Sequence, residues 1–234
     1  MLRRITSDRM NLVLMLALTF STGVIDAVGY LGLDRVFTGN MTGNVVILGM
    51  AVVGADDLPI LGPALALVGF LAGAALGGRV LKGARTGWSA RTTTLIACVG
   101  ASILALGVVL FVVGDDVGHA GQVVITTLLG AAMGLQAATA RFIAVKDVTT
   151  VVVTSTITGL AADSVLGNGK GGGSGRRVAA VVLILAGAAA GALLLRWHLG
   201  AGLLLAAAIT LVVCVVGAVH ARAAVPASPA QLGS

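Results

Sequence analysis

Residues 92–113 read TTTLIACVGASILALGVVLFVV, a run without one charged side chain. A helix needs about 20 mostly apolar residues to cross the hydrocarbon core of a bilayer. Further apolar runs of spanning length fall at about 11–33, 62–82, 120–141, 176–196 and 200–220. The sequence therefore predicts an all-α polytopic membrane protein with about six full spans, folded as a single transmembrane domain.

The composition supports this class of protein. The chain has 234 residues, of which 58% are hydrophobic and only 10% charged, whereas a soluble domain carries about 25% charged residues. This excludes soluble enzymes, nucleic-acid binders and secreted scaffolds, and it makes the lipid bilayer the first partner. The net charge of +6 is typical of the excess of Lys and Arg in cytoplasmic loops. A nucleic-acid site would need a basic face with stacking aromatics, which the chain lacks.

Two stretches, 38–55 and 149–166, begin polar and become apolar partway. Each fits either a short span or a half-helix that enters and leaves on one side. Lys and Arg cluster in the connections at 79–91 and 170–177, whereas the connections at 56–57 and 115–116 carry Asp pairs. Both basic loops fall on the cytoplasmic side if the N-terminus is cytoplasmic and neither ambiguous stretch crosses. We therefore predict two broken or re-entrant segments beside the six spans.

The two halves of the chain resemble each other. TGNMTG at 38–43 matches TSTITG at 154–159, and LAGAALG at 71–77 matches LAGAAAG at 185–191. With three spans in each half, a first repeat at about 11–113 and a second at about 120–220 would have opposite orientations. Inverted repeats recur in secondary transporters, although an accident of composition is the alternative. Residues 167–177 are expected to form a flexible linker and residues 221–234 a disordered tail.

Asp26 interrupts the first apolar run, in TGVIDAVGYL. A charged side chain in mid-helix costs about 2.5–3.5 kcal/mol on insertion scales, so it should face the bundle or a cavity. It is either a proton-coupling or cation-binding carboxylate, or a helix-end Asp bonded to nearby backbone. Tyr30 either hydrogen-bonds this carboxylate or lies in an interfacial belt. Gln136 takes the place of Asp26 if the helices that start the two halves are aligned, as a structural tie or a ligand contact.

The segment TGNMTGN at 38–44 is the densest polar signal. Thr and Asn cap helices well, so it predicts the unwound start of a half-helix. Its free N–H groups would suit an anion or a carbonyl oxygen; the alternative is an extracellular loop that caps an ordinary helix. In the partner stretch the hydroxyls of Thr154, Ser155, Thr156 and Thr158 have their own helix as an alternative acceptor. The candidate residues for substrate binding or coupling are Asp26, Tyr30, Thr38, Asn40, Thr42, Asn44, Gln136, Thr154, Thr156 and Thr158.

Catalytic signatures are missing from the sequence. It contains no phosphate-binding loop, no HExxH and no GxSxG, and its three histidines do not cluster. We expect no enzyme activity, no metal and no cofactor. Asp163 is expected to pair with Arg141 or with a cation of the linker. GxxxG spacings at 69–77 and 187–191 indicate close helix packing, within the chain more than in a homodimer.

Four strings resemble one known family: GVIDAVGYL at 23–31, FTGNMTGNVVILG at 37–49, GLQAATAR at 134–141 and VVTSTITGLA at 152–161. They are similar to the YoaK-like family of small bacterial integral membrane proteins. The resemblance implies a multi-pass protein of the bacterial cytoplasmic (inner) membrane and a small-molecule permease. Where the family usually has Gln-Asn-Ala, this chain has Gln136-Ala137-Ala138.

These observations together predict a secondary transporter for a small molecule, coupled to protons through Asp26. In this hypothesis the two broken segments meet near the midplane, with the polar residues of one facing those of the other. A channel lined by the same half-helices is the first alternative. A membrane enzyme or sensor that uses Asp26 and Asp163 as a carboxylate pair is the second.

Overall fold

The computed structural model describes residues 6–114, 117–145, 153–164, 167, 169 and 173–224. Within these residues all regular secondary structure is helical. The eight helices are α1 Ser7–Gly32, α2 Met41–Val52, α3 Leu61–Leu81, α4 Ala90–Val113, α5 His119–Ile143, α6 Val153–Ala162, α7 Ser174–Leu195 and α8 Ala201–Ala224.

Six of these helices are long and apolar enough to cross a membrane, which confirms the six predicted spans. α2 has 12 residues and α6 has 10, so at 1.5 Å per residue they reach about 18 and 15 Å, short of the roughly 30 Å hydrocarbon core. Many large apolar side chains remain exposed on the outside of the bundle, for example Val13, Leu71 and Leu185 at about 60%. Such a surface suits contact with lipid.

Some predicted boundaries were wrong. α7 begins at Ser174, so residues 174–177 are helical although they were assigned to the linker. α8 continues to Ala224, so the first residues of the expected tail are also helical, because the apolar run carries the helix past Arg222. The Asp pair at 115–116, the stretch 149–152 and the tail from 225 onward lie outside the described residues.

One end of the bundle is basic. Ser7 at the start of α1 contacts His220 near the end of α8, and Trp88, just before α4, packs on Gly217 of α8. Ile143 at the end of α5 belongs to the same apolar cluster as Leu14. The described basic residues at this end are Arg9, Arg79, Lys82, Arg85, Arg91, Arg141, Arg176, Arg177 and Arg222.

The opposite end, which we call the acidic end, carries Asp34, Asp56 and Asp57. His119, at the start of α5, lies 3.6 Å from Asp34, just after α1, and Gly200, just before α8, packs on Phe111 near the end of α4. α1 and α4 therefore run from the basic end to the acidic end, and α5 and α8 run back.

The remaining two long helices are aligned by glycines. A side chain at Gly187 of α7 would overlap the carbonyl of Phe20, and one at Gly191 would overlap that of Val24, so α7 runs parallel to α1. In the same way Gly69 and Gly73 place α3 against Thr127 and Ala131 of α5, in parallel. α1 and α3 therefore run in opposite directions. α2, which connects them, starts and ends at the acidic end and does not cross.

The helix contacts of the first half, α1 to α4, correspond to those of the second half, α5 to α8. α1 packs on α7 as α5 packs on α3, α1 on α8 as α5 on α4, and α2 on α3 as α6 on α7. The glycine contacts give the register: Gly23 meets Ile184 and Ala188, and Gly134 meets the matching Phe70 and Ala74.

This register corrects one alignment made from the sequence. Because Gly23 corresponds to Gly134, Asp26 corresponds to Ala137, and the counterpart of Gln136 is Ile25. The second half thus has no carboxylate at the position of Asp26.

Candidate functional site

Asp26 lies inside α1, six residues before its end at Gly32. Its Oδ1 accepts the backbone N–H groups of Thr38 at 2.9 Å and Gly39 at 2.7 Å, and the Thr38 hydroxyl lies 3.4 Å away. The carboxylate therefore fixes the chain just before α2. Asp26 therefore has a feature of each interpretation: it bonds nearby backbone, as a helix-end Asp would, and it lies within a predicted span, as a functional carboxylate would.

Asn44 holds the other end of the same segment. Its side chain accepts the Phe37 N–H at 2.9 Å and donates to the Phe37 carbonyl at 2.5 Å, as a paired strand would. The ring of Phe37 covers Gly43, where a side chain would clash with it. Asn44 is buried, and its polar groups are used within the chain.

Asn40 caps α2, as predicted, by accepting the Gly43 N–H at 3.2 Å. Its side chain and that of Thr42 are exposed, whereas Thr38 is fully buried. Tyr30 stacks on Phe37 with ring centroids 4.7 Å apart. Of the two alternatives for Tyr30, the hydrogen bond to Asp26 is absent among the described contacts, since the ring stacks on Phe37.

Gln136 and Thr22 form a polar pair in the core, where α5 meets α1. The Gln136 Nε2 donates to the Thr22 hydroxyl at 3.2 Å, and the two residues are 0% and 1% exposed. Thr22 lies one turn before Asp26 on the same face of α1, and Gly39 packs against both. Among the described residues, the Gln136 Oε1 has no hydrogen-bond donor.

Sequence reasoning missed Thr22. The signal was its position four residues before Asp26, which places both side chains on one helix face. A threonine in a helix usually bonds its own backbone, and Thr22 does so, donating to the Leu18 carbonyl at 2.9 Å. Its contact with α5 has no sequence signature.

The second broken segment lies elsewhere. α6 packs on α7, and the Arg177 guanidinium bonds the Gly159 carbonyl at 2.7 Å and the Asp163 carboxylate at 2.8 Å. This confirms that Asp163 pairs with a cation from the region assigned to the linker. Thr156 is buried, whereas Thr154 and Thr158 are exposed and share a hydrogen bond along their helix.

The predicted meeting of the two broken segments is therefore wrong for the described residues. α2 and α6 make no contact, so Asn40, Thr42 and Asn44 do not face Thr154, Thr156 and Thr158. α2 is held at the acidic end by Asp26 and packs on α3, while α6 is held near the basic end by Arg177.

The carboxylate pair of the enzyme alternative is also absent. The glycine register places Arg177 level with about residue 10 of α1, roughly 16 residues or 24 Å from Asp26 along the helix axis. Asp163, bonded to Arg177, is too far from Asp26 for shared acid–base chemistry. Among the described residues, no three His, Cys, Asp or Glu side chains come together as metal ligands.

The glycine faces of α3 and α7 are used inside the chain. Gly73 and Gly77 pack on α5, and Gly187 and Gly191 pack on α1. A homodimer would therefore have to use other surfaces.

Comparison with known proteins agrees with this membrane architecture. Residues 14–216 match the family described as "Protein of unknown function (DUF1275)". The "UPF0700 transmembrane protein YoaK" of Bacillus subtilis (strain 168) is 29% identical over 156 residues, which cover 66% of this chain and 67% of that protein. No solved structure matches the chain. The chain is a multi-pass membrane protein and belongs to the DUF1275 family.

Proposed function

We propose that this protein is a small-molecule permease whose substrate site lies where α1 meets α5, around Asp26, Thr22 and Gln136. The observation that supports it most is an acidic side chain inside a span that forms no ion pair with any described basic residue. Ionisable residues at membrane depth are costly and mark ion or substrate pathways. In this proposal Asp26 also takes up the coupling proton.

We further propose that the two halves form an inverted repeat in the bacterial inner membrane, with the N-terminus in the cytoplasm. The exchange of helix pairings between the halves supports the repeat, and three long helices per half would invert the second half. The clustering of Lys and Arg at the end where α1 begins supports the orientation.

The repeat does not carry a second copy of the proposed site. The counterparts of Thr22 and Gln136 are Met133 and Ile25, both fully buried in the apolar core. Asp26 likewise corresponds to an alanine. We therefore place binding at the contact between α1 and α5 that contains Asp26, and give α6 a structural role.

A permease accounts for the packed interior better than a channel does. Met15, Leu18, Leu129 and Met133 are fully buried between the helices, so the bundle is closed in this conformation. Alternating access, in which one half rocks against the other, requires such closed states.

The test begins with a thermal-shift screen of a metabolite panel on the purified protein, because any ligand that binds the native state stabilises it. Compounds that bind are then assayed for uptake into proteoliposomes with an imposed pH gradient. We expect Asp26→Asn to abolish pH-driven accumulation and the exposed Asp57→Asn to leave it unchanged. Asparagine keeps the oxygen that accepts the Thr38 and Gly39 amides, so folding should survive.

Two results would contradict the proposal. Wild-type accumulation by the Asp26→Asn protein would remove the coupling role of Asp26. Flux at single-channel rates with no accumulation against a gradient would favour the channel.

A further inference from the structure

The chemistry around Asp26 also indicates what kind of solute the site receives, an inference that rests on the proposed permease function. The start of α2 suggested an anion site because helix N-termini offer free N–H groups. In the structure those donors are occupied: the Thr38 and Gly39 amides bond Asp26, and the Gly43 amide bonds Asn40. The segment therefore has few donors left for an anion.

The group left without a partner in the core is an acceptor. The Thr22 hydroxyl donates its only hydrogen to the Leu18 carbonyl at 2.9 Å. In its contact with Gln136 it can therefore only accept a hydrogen bond. This fixes the orientation of the Gln136 amide: the NH₂ group faces Thr22 and the Oε1 faces away. Gln136 is 0% exposed, and its Oε1 meets no donor among the described residues.

Asp26 adds a second acceptor and a negative charge. The hydrogen bonds from Thr38 and Gly39 go to Oδ1, and the Asn40 backbone N–H also bonds the carboxylate, so its partners are neutral N–H and O–H groups. The packed elements supply no cation to it. The described basic residues of α5, α7, α8, the α7–α8 connection and the segment after α1 lie toward or beyond the helix ends and form no ion pair with Asp26. They are His119, Arg141, Arg176, Arg177, Arg196, His198, His220, Arg222 and Arg35.

We infer that the transported solute is a small organic cation with N–H donors, of the primary or secondary ammonium class. Its charge pairs with Asp26, and an N–H donates to the Gln136 Oε1. Such a solute supplies the two things that this cluster lacks, a positive charge and a hydrogen-bond donor. Gly39 packs directly against Thr22 and Asp26, because it has no side chain.

The test measures thermal stabilisation and proteoliposome uptake with four small probes: methylammonium, tetramethylammonium, acetate and acetamide. We expect methylammonium to stabilise the wild-type protein and to enter proteoliposomes faster than protein-free liposomes. Tetramethylammonium, which has the charge but no N–H, should bind at least tenfold more weakly. Acetate and acetamide should have no effect.

Gln136→Met is the matched variant, because it keeps the length of the side chain and removes the acceptor. It should weaken methylammonium binding about tenfold, the effect of one hydrogen bond to a charged donor, and leave tetramethylammonium binding unchanged. Size-exclusion chromatography and the thermal midpoint without ligand establish that the variant folds.

Each outcome bears on the inference. Stabilisation by acetate, or equal binding of both ammonium ions, would overturn the solute class and leave the permease standing. The absence of any effect of methylammonium on the wild-type protein would overturn it too. Failure of the permease proposal itself would show separately, as flux at single-channel rates with no accumulation against a gradient.

Discussion

The Gln136 amide of α5 donates a hydrogen bond to the Thr22 hydroxyl of α1, 3.2 Å away in the buried core. This bond joins the two halves of the chain. Exchange of the halves carries the pair onto Ile25 and Met133, which are apolar and fully buried. The two halves therefore pack in nearly the same way, but only one of the two equivalent positions has polar side chains. The polar pair lies next to Asp26, because Thr22 is one helical turn before it.

The close packing of helices at glycines can be tested by substitutions to alanine, which add one methyl group. Gly73→Ala on α3 places a Cβ against the Ala131 carbonyl, and the equivalent Gly187→Ala places one against the Phe20 carbonyl. Overpacking of this kind costs about 1–3 kcal/mol, so both variants should lose several degrees in thermal midpoint in detergent. Gly78→Ala is the control, since nothing lies within 4 Å of that position. Equal midpoints for Gly73→Ala and Gly78→Ala would contradict the close crossing of α3 and α5.

The segment before α2 should open when Asn44 is removed. Asn44→Ala eliminates both hydrogen bonds to Phe37 and leaves the Phe37 backbone unpaired, at a cost of about 1–3 kcal/mol. We expect faster hydrogen–deuterium exchange across residues 36–44, measured by mass spectrometry. Thr42→Ala, on the same helix but exposed, should leave the exchange unchanged. An equal effect of the two substitutions would show that Asn44 does not hold the segment.

The long helices and the two short ones could be predicted because each needs only a local pattern. Runs of apolar residues give the spans, and the polar start of 38–55 with its capping Asn40 gives α2. The pairing of these elements could not be predicted. Whether α2 meets α6 depends on which helix each is tied to, and the ties are Asp26 to two backbone amides and Arg177 to Asp163. Nearly every residue has a backbone N–H group, so the sequence does not indicate which of them bond Asp26.

Orientation in the membrane can be measured with single cysteines. After Cys98 and Cys214 are replaced by alanine, Asp57→Cys marks the acidic end and Arg85→Cys the basic end. With the N-terminus in the cytoplasm, a membrane-impermeant maleimide added to intact cells should label position 57 and not position 85. Labelling of position 85 alone would invert the topology. Labelling after cell lysis is the control for reactivity at both positions.

Arg177 should hold α6 more firmly than Asp163 does. Its guanidinium bonds both the Gly159 carbonyl and the Asp163 carboxylate, so Arg177→Met removes two contacts to α6, whereas Asp163→Asn leaves the first. We expect the larger loss of thermal stability for Arg177→Met and faster proteolysis within 153–164. Arg85→Met, at an exposed position of the same end of the bundle, is the control. A larger effect of Asp163→Asn would show that the carboxylate has another, dominant partner.

Asp26 and Gln136 were found from the sequence because polar side chains are rare inside apolar runs, but their alignment with each other was wrong. The sequences of α1 and α5 can be aligned with a shift of one residue in either direction, and their apolar residues still match. Only the glycine contacts, Gly23 on α7 and Gly134 on α3, fix it. With this one-residue shift of the alignment, Asp26 corresponds to Ala137, so the second half lacks a copy of the site.

Removal of Thr22 and Gln136 should have opposite effects on stability. Thr22→Val leaves the buried Gln136 NH₂ group without its acceptor and should cost about 1–3 kcal/mol. Gln136→Met also removes the buried oxygen that has no donor, so it should be neutral or stabilising, and Thr22→Val should then cost little in the Gln136→Met background. Unfolding midpoints of the two single variants and the double variant in one detergent measure this coupling. Thr139→Val is the control, because that buried hydroxyl bonds only the Leu135 carbonyl of its own helix. If Thr22→Val costs no more than Thr139→Val, the bond between the halves contributes nothing to stability, and the Gln136 amide is free to turn toward a ligand.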